Sequence, residues 1–246
     1  AGVQERLAVA WPGKRFAWER SAGDVQQARR HAHELADAIV EATTGEKGIA
    51  QSRFAVVVKT GTSRSGQAIE DLYVCDYDGY NLIRLTSDGV PIVGPRFSPD
   101  GRKVYFTSYR KGFPAVFVAD VATRSVQQLA SFRGLSTGAV PSPADPNKLA
   151  IILSHQGNPE LYVMDARTKH LTRLTRTKLA AEASPCWSPD GRRICSGFAA
   201  AVCGGRGERA VAAADAGARG IGSAGLGQAW NCFCHQAGKP VSAGGY

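Results

Sequence analysis

No stretch of the sequence approaches the roughly 20 consecutive apolar residues of a membrane span, so no membrane insertion is expected. Cysteine is scarce. Six over 246 residues are too few for a disulfide-dense secreted module, and four of them, Cys195, Cys203, Cys232 and Cys234, fall near the C-terminus. Acidic residues are also in deficit, 21 against 30 Lys and Arg, for a formal charge of +9. That charge would suit an acidic partner such as nucleic acid, anionic lipid or an acidic protein. The positive residues are scattered, mostly in turns, with no stripe of interleaved aromatics, so they read as solvated loop charges and no nucleic-acid partner is expected. The chain begins at Ala1 with no initiator Met, charged n-region or apolar h-region. Any targeting peptide is therefore expected to have been removed or to lie outside this sequence.

What is present is globular in character: 43% hydrophobic and 21% charged residues, on a length sufficient for one or two domains with a sizeable core. Residues 1–48 read as the end of an α/β unit. Trp11-Pro12-Gly13 is a turn, and Arg15–Arg20 alternates like a strand. Asp24 and Gln27 are spaced to satisfy each other's orphan amides in a capping box. The helix that follows places Ala28, Ala32, Leu35, Ile39 and Ala42 on one face, and Gly45 can close it. Such a helix needs a sheet to lie on, and this stretch supplies only one or two strands. The region is therefore expected to be the remnant of a larger α/β domain.

From about Ile49 the pattern becomes repetitive. Three segments, Leu72–Asp76, Val116–Asp120 and Leu161–Asp165, end in an Asp at intervals of 44 and 45 residues. Leu85-Thr86, Leu129-Ala130 and Leu174-Thr175 keep the same intervals. Phe97-Ser98-Pro99-Asp100-Gly101 returns, degraded, as Pro141-Ser142-Pro143-Ala144-Asp145 and again as Trp187-Ser188-Pro189-Asp190-Gly191. A period near 44 fits helical solenoids or propeller blades. Alternation within Leu72–Asp76 and Val104–Ser108, separated by Gly-, Pro- and Asp-rich turns, decides for strands, about four per repeat. The fold class expected is mainly β, a partial β-propeller over residues 49–198 with about three blades.

The markers have structural explanations. Pro presets the turn, Asp bonds the following backbone and Gly takes positive φ, while Phe97 and Trp187 are placed to fill the space between blades. Asp76, Asp120 and Asp165 open hairpin loops as Asx turns. After Phe198 the repeat stops, and residues 199–246 turn rich in Gly and Ala. Two readings stand open, a flexible tail or translation out of frame, and the shortage of Ser, Pro, Glu and Lys favours the second. Gly134-Leu135-Ser136-Thr137-Gly138 matches the nucleophile-elbow pattern but lacks the helix that motif needs. Cys232-Phe233-Cys234-His235 falls short of a four-ligand zinc site, and His31 and His33, two apart on a helix, do not share a face. No catalytic, metal or cofactor residue is expected.

The helix end His33–Val40, the segment Thr44-Gly45-Glu46-Lys47-Gly48 and the strand Ser52–Val57 resemble the interdomain junction of the TolB family, the periplasmic component of the Tol-Pal system. Val74–Asn81, Leu85-Thr86 and Phe97–Gly101 are similar to that family's first blades. The resemblance spans about residues 15–198. It implies a six-bladed propeller, when complete, following a smaller α/β domain, with a periplasmic location and no catalysis. It also implies binding of the lipoprotein Pal at one mouth of the propeller and contact with inner-membrane Tol proteins through the N-terminal end. The role implied is support of outer-membrane integrity and of envelope constriction at cell division. The mouth loops then carry the candidate partner-binding residues: Val90 and Ile92, Leu135 and Ser136, and Lys178, Leu179, Ala180, Ala181, Glu182 and Ser184. Family members commonly carry an acidic residue where this chain has Ser184. Similar blades occur in prolyl-oligopeptidase-type serine peptidases and in stand-alone periplasmic sensor propellers. The peptidase would need a hydrolase domain, and the sensor would lack the junction at residues 24–58.

Overall fold

The structure is a computed structural model describing residues 3–11, 14–132, 134, 136–154, 157–176, 181–199 and 209–213. Strands β1 (Val3–Trp11) and β2 (Lys14–Ala22) form an antiparallel hairpin with Trp11 opposite Lys14. Pro12 and Gly13, expected in its turn, lie outside the described residues. Helix α1 (Val25–Thr44) starts at Asp24, whose carboxylate accepts from the Gln27 N–H at 2.7 Å. The Gln27 side chain reaches back to the Gly23 N–H, one residue earlier than a capping box would place it. Gly45 closes the helix at φ 77, donating to the Glu41 carbonyl. Of the expected apolar stripe, Ala28, Leu35, Ile39 and Ala42 are half-buried and Ala32 is exposed.

Beyond the helix the chain folds back on it. Asp37 accepts the backbone N–H groups of Ala50 at 2.6 Å and Gln51 at 3.2 Å. A Cβ on Gly48 would lie 2.5 Å from the Asp37 Cα, so only glycine allows this approach. Two compact units result, one of residues 1–54 with 75–82, the other of residues 55–74 with 83 onward. Within the first, α1 holds the hairpin loop 76–81. Arg29 pairs with Asp78 at 2.5 Å and lies over the Tyr80 ring, and His33 Nε2 is 3.3 Å from the same carboxylate.

The remaining strands are meanders. The first sheet runs β3 (Arg53–Thr62), β4 (Ala68–Asp76), β5 (Ile83–Arg84); the second β6 (Ile92–Phe97), β7 (Lys103–Ser108), β8 (Ala115–Asp120), β9 (Val126–Ala130). The third runs β10 (Ser136–Pro141), β11 (Lys148–Leu153), β12 (Glu160–Asp165), β13 (Leu171–Arg173); the fourth β14 (Ala181–Trp187), β15 (Arg193–Ala199), β16 (Arg209–Ala213). This is a mainly β, partial and unclosed propeller. The repeat was expected to stop after Phe198, yet β16 pairs with β15, setting Arg193 opposite Ala213. A strand with one unpaired edge accepts any extended segment that presents its backbone groups in register. The rest of 200–246, including Cys203 and the Cys232–His235 cluster, lies outside the described residues.

Three hydrophobic clusters join neighbouring sheets. Leu72, Val74 and Leu85 meet Phe97, Val104, Phe106 and Phe117; Tyr105 and Val116 meet Leu149, Ile151, Leu153 and Met164; Ala150, Ile152 and Leu161 meet Trp187 and Ile194. Alternation along β7 and β11 sends successive residues to opposite clusters, so both strands are buried on both faces. Trp187 also donates its indole N–H to the Val140 carbonyl at 2.9 Å, tying the fourth sheet to the third. In the Ser-Pro-Asp-Gly turns, Ser98 donates to Asp100 and accepts the Lys103 N–H, and Ser188 repeats this with Asp190 and Arg193. Asp120 and Asp165 form the expected Asx turns, accepting the N–H groups of Ala122 and Thr123, and of Arg167 and Thr168. Asp76 differs: its carboxylate takes the Asn81 amide instead.

Candidate partner-binding face

In the second and third sheets antiparallel meander order puts the start of the first and third strands, and the end of the second and fourth, at one end; in the three-stranded first sheet the equivalent end holds the start of β4 and the ends of β3 and β5. The loops 85–91 and 109–114 therefore gather there, with Ser154 and residues 157–159. The first strands of the second, third and fourth sheets, β6, β10 and β14, carry the same irregularity. The pairing slips between Val93 and Arg96, between Thr137 and Val140, and between Ala183 and Cys186. At each bulge one residue takes positive φ: Gly94 at 59°, Gly138 at 68° and Ser184 at 49°. Two of the three are glycine, for which this conformation is free of Cβ strain; Ser184 carries it without that freedom.

A buried polar network recurs at this end. In the first sheet, Asp71, 1% exposed, accepts Arg84 at 2.6 Å and the Thr86 hydroxyl at 3.3 Å. Arg84 Nε also donates to the Thr86 carbonyl, and the Thr86 hydroxyl accepts the Leu72 N–H. In the third sheet Glu160, Arg173, Thr175 and Leu161 repeat each bond, with Thr175 donating to Glu160 at 2.6 Å. The second sheet carries Ala115, Gln128 and Ala130 at those positions, and there Val116 pairs with Ala130 across a bulge that skips Leu129. The threonine hydroxyl thus stands in for a strand partner, which is why β5 and β13 are shorter than β9. The Leu-Thr markers pointed to this network; its arginine and acid were equally periodic and were missed.

What this end offers a partner is apolar and basic. Val93, Tyr109 and Phe113 are exposed, beside exposed Lys111. Arg110 pairs with Asp88 and lies 5.0 Å from the Phe117 ring, bracing the 109–114 loop against the one before β6. Of the candidates, Val90 is half-buried and Ser184 exposed. Ile92, 6% exposed, lies in the first cluster, and Ser136, 0% exposed, lies inside β10. Neither side chain is presented outward, and Ser136 is followed by strand rather than the helix an elbow requires. Ala181 and Glu182 are placed in β14 by backbone alone; Leu135, Lys178, Leu179 and Ala180 lie outside the described residues. Val93, Tyr109 and Phe113 were not singled out from sequence, although Phe113 stands in the Lys111-Gly112-Phe113-Pro114 turn, where an aromatic has little to bury against.

Residues 40–204 match the family model described as TolB beta propeller domain. The chain is 42% identical over 106 residues to "Tol-Pal system protein TolB" of Roseobacter denitrificans, covering 43% of this chain and 24% of that protein. It is 31% identical over 182 residues to "Protein TolB homolog" of Chlorobium chlorochromatii, covering 74% and 39% respectively. Among solved structures, TolB from Acinetobacter baumannii superposes with a TM-score of 0.66 at 26% identity, over 79% of this chain and 47% of that one. The chain thus spans less than half the length of each relative.

Proposed function

Since the chain belongs to the TolB β-propeller family, we propose that it serves the Tol-Pal system of the periplasm as a non-enzymatic binding component. Its partner at the propeller mouth is the lipoprotein Pal, and its N-terminal end faces the inner-membrane Tol proteins. Residues 1–48 are the end of the smaller α/β domain and 49–198 about three blades. The role is support of outer-membrane integrity and of envelope constriction at division.

The observation that carries this reading is a family match that begins in the last turn of α1 and continues through β15, so that it covers residues 40–58 of the junction as well as the repeats. The mouth supports it. The buried carboxylates Asp71 and Glu160 are each held by an arginine and a threonine in the first and third sheets, on either side of the second sheet that exposes Val93, Tyr109 and Phe113. The test is a pull-down of the intact protein carrying this sequence with Pal from the same source. Retention of Pal, weakened by Phe113→Asp or Val93→Asp, is expected. Absence of Pal together with labelling by a serine-hydrolase probe would replace this reading with the peptidase one.

A further inference from the structure

Cys186 and Cys195 stand directly opposite each other in the β14–β15 ladder. Directly opposed residues of antiparallel strands have Cα atoms about 4.5–5.5 Å apart, with side chains on one face of the sheet. That separation lies inside the roughly 4.4–6.8 Å range that a disulfide spans. The neighbouring pair, Trp187 and Ile194, points into the cluster shared with the third sheet. Alternation therefore puts the two thiols on the other face, where both are half-buried and within reach of a small oxidant. The equivalent pair in the second sheet is Arg96 and Tyr105, and in the third Val140 and Ala150. The repeat architecture itself thus asks for no cysteine here. Cys186 also follows the Ser184 bulge, the pairing of β14 with β15 slipping between Ala183 and Cys186.

We propose that Cys186 and Cys195 form a cross-strand disulfide that pins β14 to β15 beside the third mouth loop. The oxidant is of the disulfide class, such as oxidised glutathione. The thiolate of one cysteine attacks a sulfur of the reagent, making a mixed disulfide and releasing one glutathione thiolate. The second cysteine thiolate then attacks the protein sulfur of that mixed disulfide and releases the other. Two electrons pass from the cysteines to the reagent, and the two thiol protons end on two molecules of reduced glutathione. Cys75, buried in β4, takes no part: burial, with Asp76 and Asp78 nearby, pushes its thiol pKa up and keeps it unreactive.

The test uses the full 246-residue chain carrying Cys203→Ser, equilibrated with a glutathione redox buffer, alkylated and digested with trypsin without reduction. Cleavage after Lys178, Arg192, Arg193 and Arg206 separates the two cysteines into peptides 179–192 and 194–206. The expected result is a linked pair of these peptides as the dominant oxidised product, with loss of alkylation at both sites and its recovery on reduction. In guanidinium the same treatment should give mixed pairings with Cys75, Cys232 and Cys234. Cys186→Ser and Cys195→Ser should each abolish the linked species. Slow alkylation of Cys75 in the same sample reports that the sheets are formed. The proposal is overturned if Cys186 and Cys195 stay alkylatable while Cys75 is protected, if native and denatured chains give the same pairings, or if Cys75 reacts at its denatured rate.

Discussion

Ser184 occupies a backbone position that its two counterparts, Gly94 and Gly138, fill without a side chain. An L-residue in that conformation costs about 1–2 kcal/mol, part of which glycine returns as unfolded-state entropy. Ser184→Gly should therefore stabilise the chain by about 0.5–1 kcal/mol, raising the thermal midpoint. The reverse change, Gly138→Ala, sets a Cβ 3.0 Å from the Pro185 Cδ as well as forcing the same backbone strain. A loss of about 1–3 kcal/mol is expected, and denaturant midpoints that leave both variants at the parent value would contradict this account of the bulge. Acid behaviour also belongs to single residues. The Ser98 and Ser188 hydroxyls hold the Asp100 and Asp190 carboxyls below their ordinary value, and the Thr123 and Thr168 N–H groups do the same for Asp120 and Asp165. Because the folded values lie below the unfolded one, folding favours the ionised form. That contribution is complete above about pH 4 and is lost as pH falls through the folded values. Urea titrations at descending pH should show a stability loss beginning near there, made shallower by Asp120→Asn; an unchanged slope would count against it.

At the scale of elements, the acid–Arg–Thr network yields a comparison the protein already contains. Arg173→Gln leaves Glu160, 1% exposed, without its cation, and should cost about 3 kcal/mol. Changing Glu160→Ala, Arg173→Gln and Thr175→Ala together recreates the second sheet's arrangement, in which ladder bonds replace the side-chain ones. This triple variant should lose less stability than the single one. Equilibrium unfolding decides it, and a triple variant worse than Arg173→Gln would mean that the network stabilises beyond its own desolvation. The helix, the Asx turns and the Ser-Pro-Asp-Gly turns were legible because each rests on contacts within a few residues. The positions of Ile92 and Ser136 were not: whether a residue in a loop-like segment faces a partner or the core depends on where the strand begins, and a bulge shifts that by one residue. The buried network was half legible. Its threonines stood in the Leu-Thr marker, while its acids Asp71 and Glu160 stand one residue before the Leu72–Asp76 and Leu161–Asp165 segments and outside every motif.

For the molecule as a whole, the three clusters that join sheet to sheet make the propeller unit a row of nearest neighbours. Each sheet derives its tertiary stabilisation from those flanking it, and the second and third have described neighbours on both faces while the first and fourth share one cluster each. Such a row behaves like a one-dimensional array, in which opening propagates inward from its ends at the energy of one interface at a time. Hydrogen exchange should reveal this as a gradient along the sequence. Amides of β7, β8, β11 and β12 should exchange last, and those of β3 and β15 well before them. A substitution at Trp187 should speed exchange in the fourth sheet and at the near face of the third, leaving the second at its original rate. The unit would then melt as a chain of coupled steps and not as a single block, its weakest link the last cluster, formed by Trp187, Ile194 and the outer face of β11.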